Sequence, residues 1–282
     1  MTSQAECTLL DGKSLAKSTL EQLKLQVDTM PVKPKLAVIV AGQDAPSLSY
    51  VKMKRKWAAQ IGAESEAYFV NENTTQVELF ELVHRLNEDH GVHGILVQHP
   101  LPSFIDESQI LSTVKVSKDV DGISPLSVGL LASRMKGHRA ATPLGIIRLL
   151  DNYNIPLRGA NVVVVGCSII LGRPMALMMI ERDATVSITH KYTKNMPELL
   201  ANADIVISAT GVPGLIRGAD LKDGVVAVDC GYAIVNDVAV GDIRYDEVFP
   251  KASYITPVPG GVGPMTVATL LSNLIDAYWE QA

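Results

Sequence analysis

Short β-branched runs alternate with stretches of helical periodicity along almost the whole chain, and this alternation limits the fold more than any other feature. The runs are Leu36–Val40, Ala67–Val70, Ile95–Val97, Val162–Val165, Val186–Thr189, Ile205–Ser208, Val225–Val228 and Tyr254–Thr256. Between them lie helical patterns over Leu15–Val27, Leu48–Ile61, Val77–Asn87, Leu144–Tyr153, Pro174–Arg182 and Met265–Tyr278. The runs are predominantly apolar, as strands are when a parallel sheet is covered on both faces. Alternating βα units of this kind give an α/β architecture. A chain of 282 residues that is 47% hydrophobic can fill one large core or two medium ones. The segment Gly122–Thr142 shows no clear strand, so a boundary is placed there. The expected division is one domain over 1–140, completed by a last helix over 265–282, and a second over 141–264.

The second half carries two glycine-rich stretches. Asn161-Val-Val-Val-Val leads into Gly166-Cys167-Ser168-Ile-Ile-Leu-Gly172-Arg173-Pro174, a buried strand, a turn and a helix start. Gly-x-Ser-x-x-x-Gly is a widened variant of the dinucleotide fingerprint. Glycine permits the tight turn, and the helix N-terminus offers free N–H groups and positive dipole to a pyrophosphate. An ordinary βα turn is the plainer alternative, and the strand before and helix after the motif favour the dinucleotide over it. The next strand ends in His190-Lys191. In a Rossmann domain an acid there reads a free ribose 2′-hydroxyl and a base accepts a 2′-phosphate. Lys191, with Arg173, therefore points to NADP; a solvated lysine at a strand end is the plainer alternative. Asp229-Cys-Gly-Tyr232 is another turn at a strand end, which makes Tyr232 a candidate cofactor contact.

Residues 255–266 read Ile-Thr-Pro-Val-Pro-Gly-Gly-Val-Gly-Pro-Met-Thr. Proline locks φ and removes a donor, while glycine permits positive φ and close approach to the backbone. A rigid loop without side-chain bulk suits a flat ligand touched by backbone groups. A plain strand-to-helix turn would need only two or three such residues.

The first half carries a different constellation. Ser49-Tyr50-Val51-Lys52-Met53-Lys54-Arg55-Lys56 opens a helix, and Tyr50 and Lys54 share one face at i, i+4. A lysine that is partly desolvated, or near other cations such as Arg55 and Lys56, has a lowered pKa and can act as acid or base. Taken alone, the pair reads as a solvated basic face. Tyr-x-x-x-Lys also marks short-chain dehydrogenases, but those carry the glycine-rich turn before it. Gly94-Ile-Leu-Val97-Gln98-His99-Pro100 presents Gln98 at a strand end. Lys118-Asp-Val-Asp121-Gly122 offers two carboxylates before a glycine, without the remaining pattern of a calcium loop. Such a carboxylate suits paired N–H donors of a nitrogen-rich heterocycle; a turn or N-cap acid is the plainer reading of Asp121.

These segments, from about Gly42 to the C-terminus, closely resemble the bifunctional methylenetetrahydrofolate dehydrogenase/methenyltetrahydrofolate cyclohydrolase family. The resemblance adds Thr142-Pro-x-Gly145 to the motifs above. It implies an N-terminal folate-binding domain completed by the C-terminal helix, a Rossmann NADP-binding domain, and a homodimer. It makes Lys54 the acid/base of the cyclohydrolase step, with Gln98 tuning it, Tyr50 stacking on folate and Asp121 binding the pterin. It places Val97, His99, Pro259, Gly260, Gly261, Val262 and Gly263 against the substrate. Gly166, Cys167, Ser168, Gly172, Arg173, Lys191 and Tyr232 fall to the dinucleotide. Three departures stand out. Ala140-Ala141 replaces a frequent Pro-Cys, Cys167 stands where some members carry an arginine for the 2′-phosphate, and His99 replaces an apolar residue, which bears on the pH behaviour of the pocket.

Other classes fit less well. The net charge of −5 without a basic cluster argues against a nucleic-acid partner. No apolar run approaches the roughly 20 residues of a membrane span. The three cysteines are far apart, and the six histidines show no firm ligand spacing, so neither a disulfide framework nor a metal site is expected. The N-terminus lacks the features of a signal peptide, so a cytoplasmic protein is expected. Two alternatives stay in view: another two-domain NADP oxidoreductase of the shikimate-dehydrogenase kind, and a dinucleotide-binding regulator without catalysis.

Overall fold

The computed structural model describes residues 7–41, 45–71 and 73–282, with the side chains of residues 41 and 45–50 outside that description. In chain order the elements are β1 (Thr8–Leu9), α1 (Gly12–Asp28), β2 (Lys35–Ala41), α2 (Ala45–Gln60), β3 (Glu64–Val70), α3 (Gln76–Glu88), β4 (Gly94–Gln98), α4 (Glu107–Thr113), α5 (Pro125–Ala132) and α6 (Ala141–Asn152). They continue with β5 (Asn161–Val165), α7 (Gly172–Glu181), β6 (Thr185–Thr189), α8 (Met196–Asn202), β7 (Ile205–Ser208), β8 (Val226–Asp229), β9 (Ala233–Val235), β10 (Val238–Val240), α9 (Tyr245–Val248), β11 (Tyr254–Ile255) and α10 (Val262–Gln281). All eight strands and six helices read from the sequence are present, with ends displaced by at most three residues. The α/β class holds.

Two compact units result: Lys17–Ala141 with Val267–Ala282, and Met1–Ala16 with Thr142–Thr266. The first contains a parallel sheet of order β3-β2-β4. Leu36 to Val40 on its central strand have no exposed surface, which explains their unbroken apolar run. Ile39, Ile95 and Val97 pack with Leu79, Val83 and Leu86 of α3 in one apolar cluster. Thr75 caps α3 by accepting from Glu78 N while the Glu78 carboxylate accepts from Thr75 N, a reciprocal pair that fixes where the helix starts. From α10, Asn273 Nδ2 donates to Val120 O (2.8 Å) and Arg139 O (2.9 Å), tying down the chain on either side of α5.

The second unit is built on a parallel sheet of order β1-β11-β8-β7-β5-β6. Strand order reverses at β5, between β6 and β7, and the C-terminal crevice at such a reversal is where open α/β sheets bind ligands. Here the structure differs from the sequence-based division. Residues 8–9 leave the first half of the chain and pair with β11, Thr8 opposite Tyr254 and Leu9 opposite Ile255. Gly12 then lies so close to the Gly261 carbonyl that no Cβ fits, and Lys13 N donates to Gly260 O at 2.9 Å. The segment expected to be a boundary contains α5, capped by Ser124 with Pro125 in the first turn. The hairpin β9–β10 was also unexpected. Its two-residue loop, Asn236-Asp237, has φ of 51° and 63°, as a type I′ turn requires.

Candidate active site

Lys54 follows from the periodicity of α2. Val51, Lys54 and Ala58 fall at i, i+3 and i+7 and are all buried, whereas Lys52, Arg55 and Lys56 are exposed. The solvated basic face therefore exists, but Lys54 is not on it; it is 8% exposed. Its Nζ donates to Gln98 Oε1 at 3.0 Å, and Gln98 Nε2 donates to His99 O at 3.0 Å. The carboxamide is thereby held with its oxygen toward the lysine. Burial pushes the Lys54 pKa below the ordinary lysine value, opposed by the charge of Asp121. The neighbouring cations Arg55 and Lys56 are not the cause, contrary to one of the two routes considered from sequence. Asp121 keeps some exposed surface, yet burial pushes its carboxyl upward, opposed by Lys54 and then His99. The backbone of Tyr50 belongs to α2; its side chain lies outside the described residues. A cavity of about 780 Å³ borders other residues of α2, with Lys52, Arg55, Glu64 and Phe69 among its lining, and Lys54 is not part of it.

The Lys118–Gly122 motif divides its labour. Lys118 is 4% exposed and its Nζ donates to Leu86 O (3.0 Å) and Asp89 O (2.7 Å), satisfying carbonyls at the end of α3. Asp119 accepts from Gly122 N, Ser124 N and Ser127 Oγ, at 3.0, 2.9 and 2.6 Å. Gly122 has φ +67°, and a Cβ there would strike the Arg139 carbonyl. Three of the four polar or special positions thus build the loop, and Asp121 is the carboxylate whose charge opposes the downward push of burial on Lys54. Val97, by contrast, is 3% exposed and belongs to the apolar cluster; its side chain serves packing.

In the other unit the Gly166 turn closes β5 at the reversal of strand order. Gly166 has φ +115°, and a Cβ on it would overlap the Ala209 carbonyl after β7. Gly172 packs equally tightly on the Gly166 carbonyl, which draws α7 against the turn. Cys167 is partly exposed and Ser168 exposed, and Ser168 Oγ accepts from Gly172 N at 3.4 Å. Arg173 Nε donates to Cys167 O at 3.1 Å, folding the side chain back over the turn. Lys191 is exposed two residues beyond β6, with Nζ 5.1 Å from the centroid of the Tyr192 ring. Tyr232, after β8, is 51% exposed. A cradle without side-chain bulk, at the N-terminus of a ten-residue helix with no acid in its first turn, fits a dinucleotide phosphate.

The Pro/Gly loop is shorter than expected, because α10 begins at Val262 and takes Val262 and Gly263 into its first turn. Its glycines have separate reasons. Gly260 has φ +113°; Gly261 has Thr256 Cβ only 2.6 Å from where its own Cβ would be; Gly263 has open space on that side. Pro259 is exposed.

Sequence reasoning missed a buried carboxylate pair near the same sheet edge. Asp229 accepts from Gly231 N, Asp242 N and Ile243 N, and Asp242 accepts from Ser208 Oγ, Thr210 N and Gly211 N. Together they lock the loops after β7 and β8. Among the described residues, no three His, Cys, Asp or Glu side chains gather as a metal site.

Sequence comparison settles what this geometry belongs to. Residues 10–121 match the catalytic-domain profile of tetrahydrofolate dehydrogenase/cyclohydrolase, and residues 140–282 match its NAD(P)-binding-domain profile. The chain belongs to the tetrahydrofolate dehydrogenase/cyclohydrolase family. It is similar to the bifunctional protein FolD of Hydrogenobaculum sp. (strain Y04AAS1), 47% identical over 97% of this chain and 99% of the relative. It is similar in structure to the bifunctional FolD methylenetetrahydrofolate dehydrogenase/cyclohydrolase of Campylobacter jejuni, with a TM-score of 0.95 and 44% identity over 98% of this chain and all of that one. The Trypanosoma brucei N5,N10-methylenetetrahydrofolate dehydrogenase-cyclohydrolase, solved with NADP cofactor and inhibitor, gives a TM-score of 0.93 at 36% identity over 98% of each chain. Membership in the tetrahydrofolate dehydrogenase/cyclohydrolase family sets aside the shikimate-dehydrogenase and regulator readings.

Proposed function

We propose that the chain oxidises 5,10-methylenetetrahydrofolate with NADP and hydrolyses the methenyl product to 10-formyltetrahydrofolate. The observation that carries this reading is the buried Lys54–Gln98 pair, 3.0 Å apart, inside the stretch matched by the family's catalytic domain. Bound NADP supplies a hydride acceptor, a step that leaves a resonance-stabilised methenyl cation and calls for no strong base. Gly166, Ser168, Gly172 and Arg173 would hold its phosphates, and Lys191 a 2′-phosphate. Tyr232 is assigned to the same ligand.

Hydrolysis needs proton management, and Lys54 is assigned to it. Water adds to the methenyl carbon and loses one proton, giving a neutral carbinol; its hydroxyl loses the second proton to become the formyl oxygen as the bond from that carbon to N5 breaks and N5 takes up a proton. Two protons leave the water and one returns to N5, so one is released overall. A lysine whose pKa is lowered by burial exchanges protons at Nζ more readily near neutral pH than a solvated one. Gln98 orients that Nζ through its Oε1. Asp121 is assigned to the N–H donors of the pterin, Tyr50 to stacking on the folate, and the Pro259–Gly263 segment to lining its pocket. No helix among the described residues is long and apolar enough to cross a membrane; the cytoplasm and a homodimer complete the reading. The test is direct. Purified protein is given methylenetetrahydrofolate with NADP⁺, and separately methenyltetrahydrofolate. Neither NADPH formation nor hydrolysis above the spontaneous rate, with reagents active on a control enzyme, would make the reading wrong.

A further inference from the structure

Strand β3 is the outer strand of its sheet and pairs with β2 alone. Glu64 N donates to Pro34 O, and the parallel register runs unbroken from Lys35–Glu64 to Ala41–Val70. Alternation along such a ladder turns the N–H and C=O groups of Ser65, Ala67 and Phe69 away from β2. The edge has few of the usual defences against another strand. It holds no proline, no lysine and no bulge, and its two charges, Glu64 and Glu66, fall in its first three residues. Phe69, near its other end, is 63% exposed.

The cavity of about 780 Å³ beside α2 opens on this edge, with Ser65 and Phe69 on its strand side and Lys52, Arg55 and Lys56 on its helix side. The three cations share one exposed face of α2, at i, i+3 and i+4. Exposed cations on other helices meet carboxylates: Lys24 Nζ lies 2.8 Å from Asp28 on α1, and Arg182 after α7 pairs with Asp151 of α6. Lys52, Arg55 and Lys56 have no ion-pair partner among the described residues. Of the two carboxylates in the lining, Glu66 is taken by Lys35, 2.7 Å away, which leaves three cations against Glu64. The chain has 30 acidic residues against 25 Lys and Arg, so a shortage of carboxylates does not account for the cluster.

We propose that this edge is a docking site for an extended acidic segment of a partner protein, which adds as a strand beside β3 with its carboxylates on Lys52, Arg55 and Lys56. In strand addition, main-chain hydrogen bonds supply affinity and alternate side chains supply selectivity. Alternate side chains of the added strand point to one face, roughly 7 Å apart, and the long side chains of the three cations span that interval. A second copy of this chain fits less well. Two β3 edges paired about a two-fold axis keep both α2 helices on one face of the joined sheet, so the cations of one copy would face those of the other. No residue of the folate or dinucleotide sites takes part, so the docking site is independent of the assigned activity.

The intact protein is titrated at low salt with a peptide of about ten residues in which Glu and Val alternate, and amide hydrogen exchange is followed residue by residue. Saturable binding below about 1 mM is expected, with slowed exchange at Ser65, Ala67 and Phe69. Salt at about 0.5 M should weaken it severalfold. Lys52→Glu, Arg55→Glu and Lys56→Glu combined should weaken it by about tenfold or more. Ala67→Pro removes one outward N–H, leaves the ladder to β2 intact, and should weaken it as well. The proposal is overturned by an absence of saturable binding, by equal binding of an alternating Lys-Val peptide, or by equal binding of an alternating Glu-Pro peptide, which cannot pair as a strand. Slowed exchange of the same amides without peptide, growing with protein concentration, would put a second copy on the edge and overturn it too. If the triple variant does not fold, undiminished binding by Ala67→Pro overturns the proposal alone.

Discussion

A buried ammonium with one neutral hydrogen-bond acceptor and one partly exposed carboxylate for company works against stability, because desolvation outweighs what such partners return. Lys54 nevertheless sits on the buried stripe of α2 beside Val51 and Ala58. Replacing it by the similarly long, apolar methionine is expected to leave the melting temperature unchanged or raise it. The same Lys54→Met change should cut methenyl hydrolysis by about 10²–10⁴-fold, the usual cost of losing a general acid–base group. NADP⁺ affinity should not move, since the Gly166 turn belongs to the other unit. Wild-type hydrolysis in this variant would take Lys54 out of the mechanism. Lys191 permits a second test. It is exposed, with its Nζ over the Tyr192 ring, so a 2′-phosphate contact there is worth about 1 kcal/mol. Lys191→Ala should lower kcat/KM for NADP⁺ about fivefold, leave the value for NAD⁺ unchanged, and lose its effect at high salt. An unaffected NADP⁺ constant would transfer the role to Arg173 or to backbone donors of the turn.

At the scale of elements, the central strands β2, β4, β5, β7 and β8 were legible because they are buried on both faces, and an apolar run such as Val162–Val165 has no competing reading. The helices α4, α8 and α9 were missed because four to seven residues give too few turns for periodicity. The hairpin has a usable signal in the sequence, Asn236-Asp237 between Val235 and Val238. Lys118 and Asp119 could not be told apart from Asp121, because the local turn decides which way each of three neighbouring polar groups points. The Asp229–Asp242 pair was illegible for a different reason: thirteen residues and a hairpin separate the two. That pair makes a pH prediction. Burial raises the Asp229 pKa from 3.8 to about 6, against three N–H donors that lower it and with the Asp242 charge adding to the rise. A raised folded-state pKa means stability that is fully present below 3.8 and lost as pH rises through about 6. Between about pH 8 and pH 5 the wild type should gain about 1.4 kcal/mol relative to Asp229→Asn, measured by urea unfolding of both proteins at each pH. An equal difference at the two pH values would show that the three N–H donors hold the carboxylate ionised throughout.

At the scale of the whole molecule, the hairpin β9–β10 is the feature that bears most on the proposed homodimer. Two short strands alone are marginal in water, and this pair stands apart from both parallel sheets. Its side chains are not those of a solvated ribbon. Ile234, Val235 and Val238 are 58%, 44% and 60% exposed, and Tyr232 just before them is 51% exposed. An apolar ribbon with open edges invites pairing with another strand, and a second copy of the same ribbon supplies an identical surface for an isologous two-fold contact. The homodimer proposed for this chain is therefore expected to close over the hairpin. Light scattering coupled to gel filtration should give twice the chain mass for the wild type. Ile234→Asp combined with Val238→Asp should give the single-chain mass, because a two-fold contact would bring each new charge into a desolvated interface twice over. Both side chains are exposed within one copy, so far-UV circular dichroism should be unchanged. A wild type of single-chain mass would end the homodimer proposal. A variant that remains dimeric would move the interface away from the hairpin and leave the exposed Ile234 and Val238 without a partner.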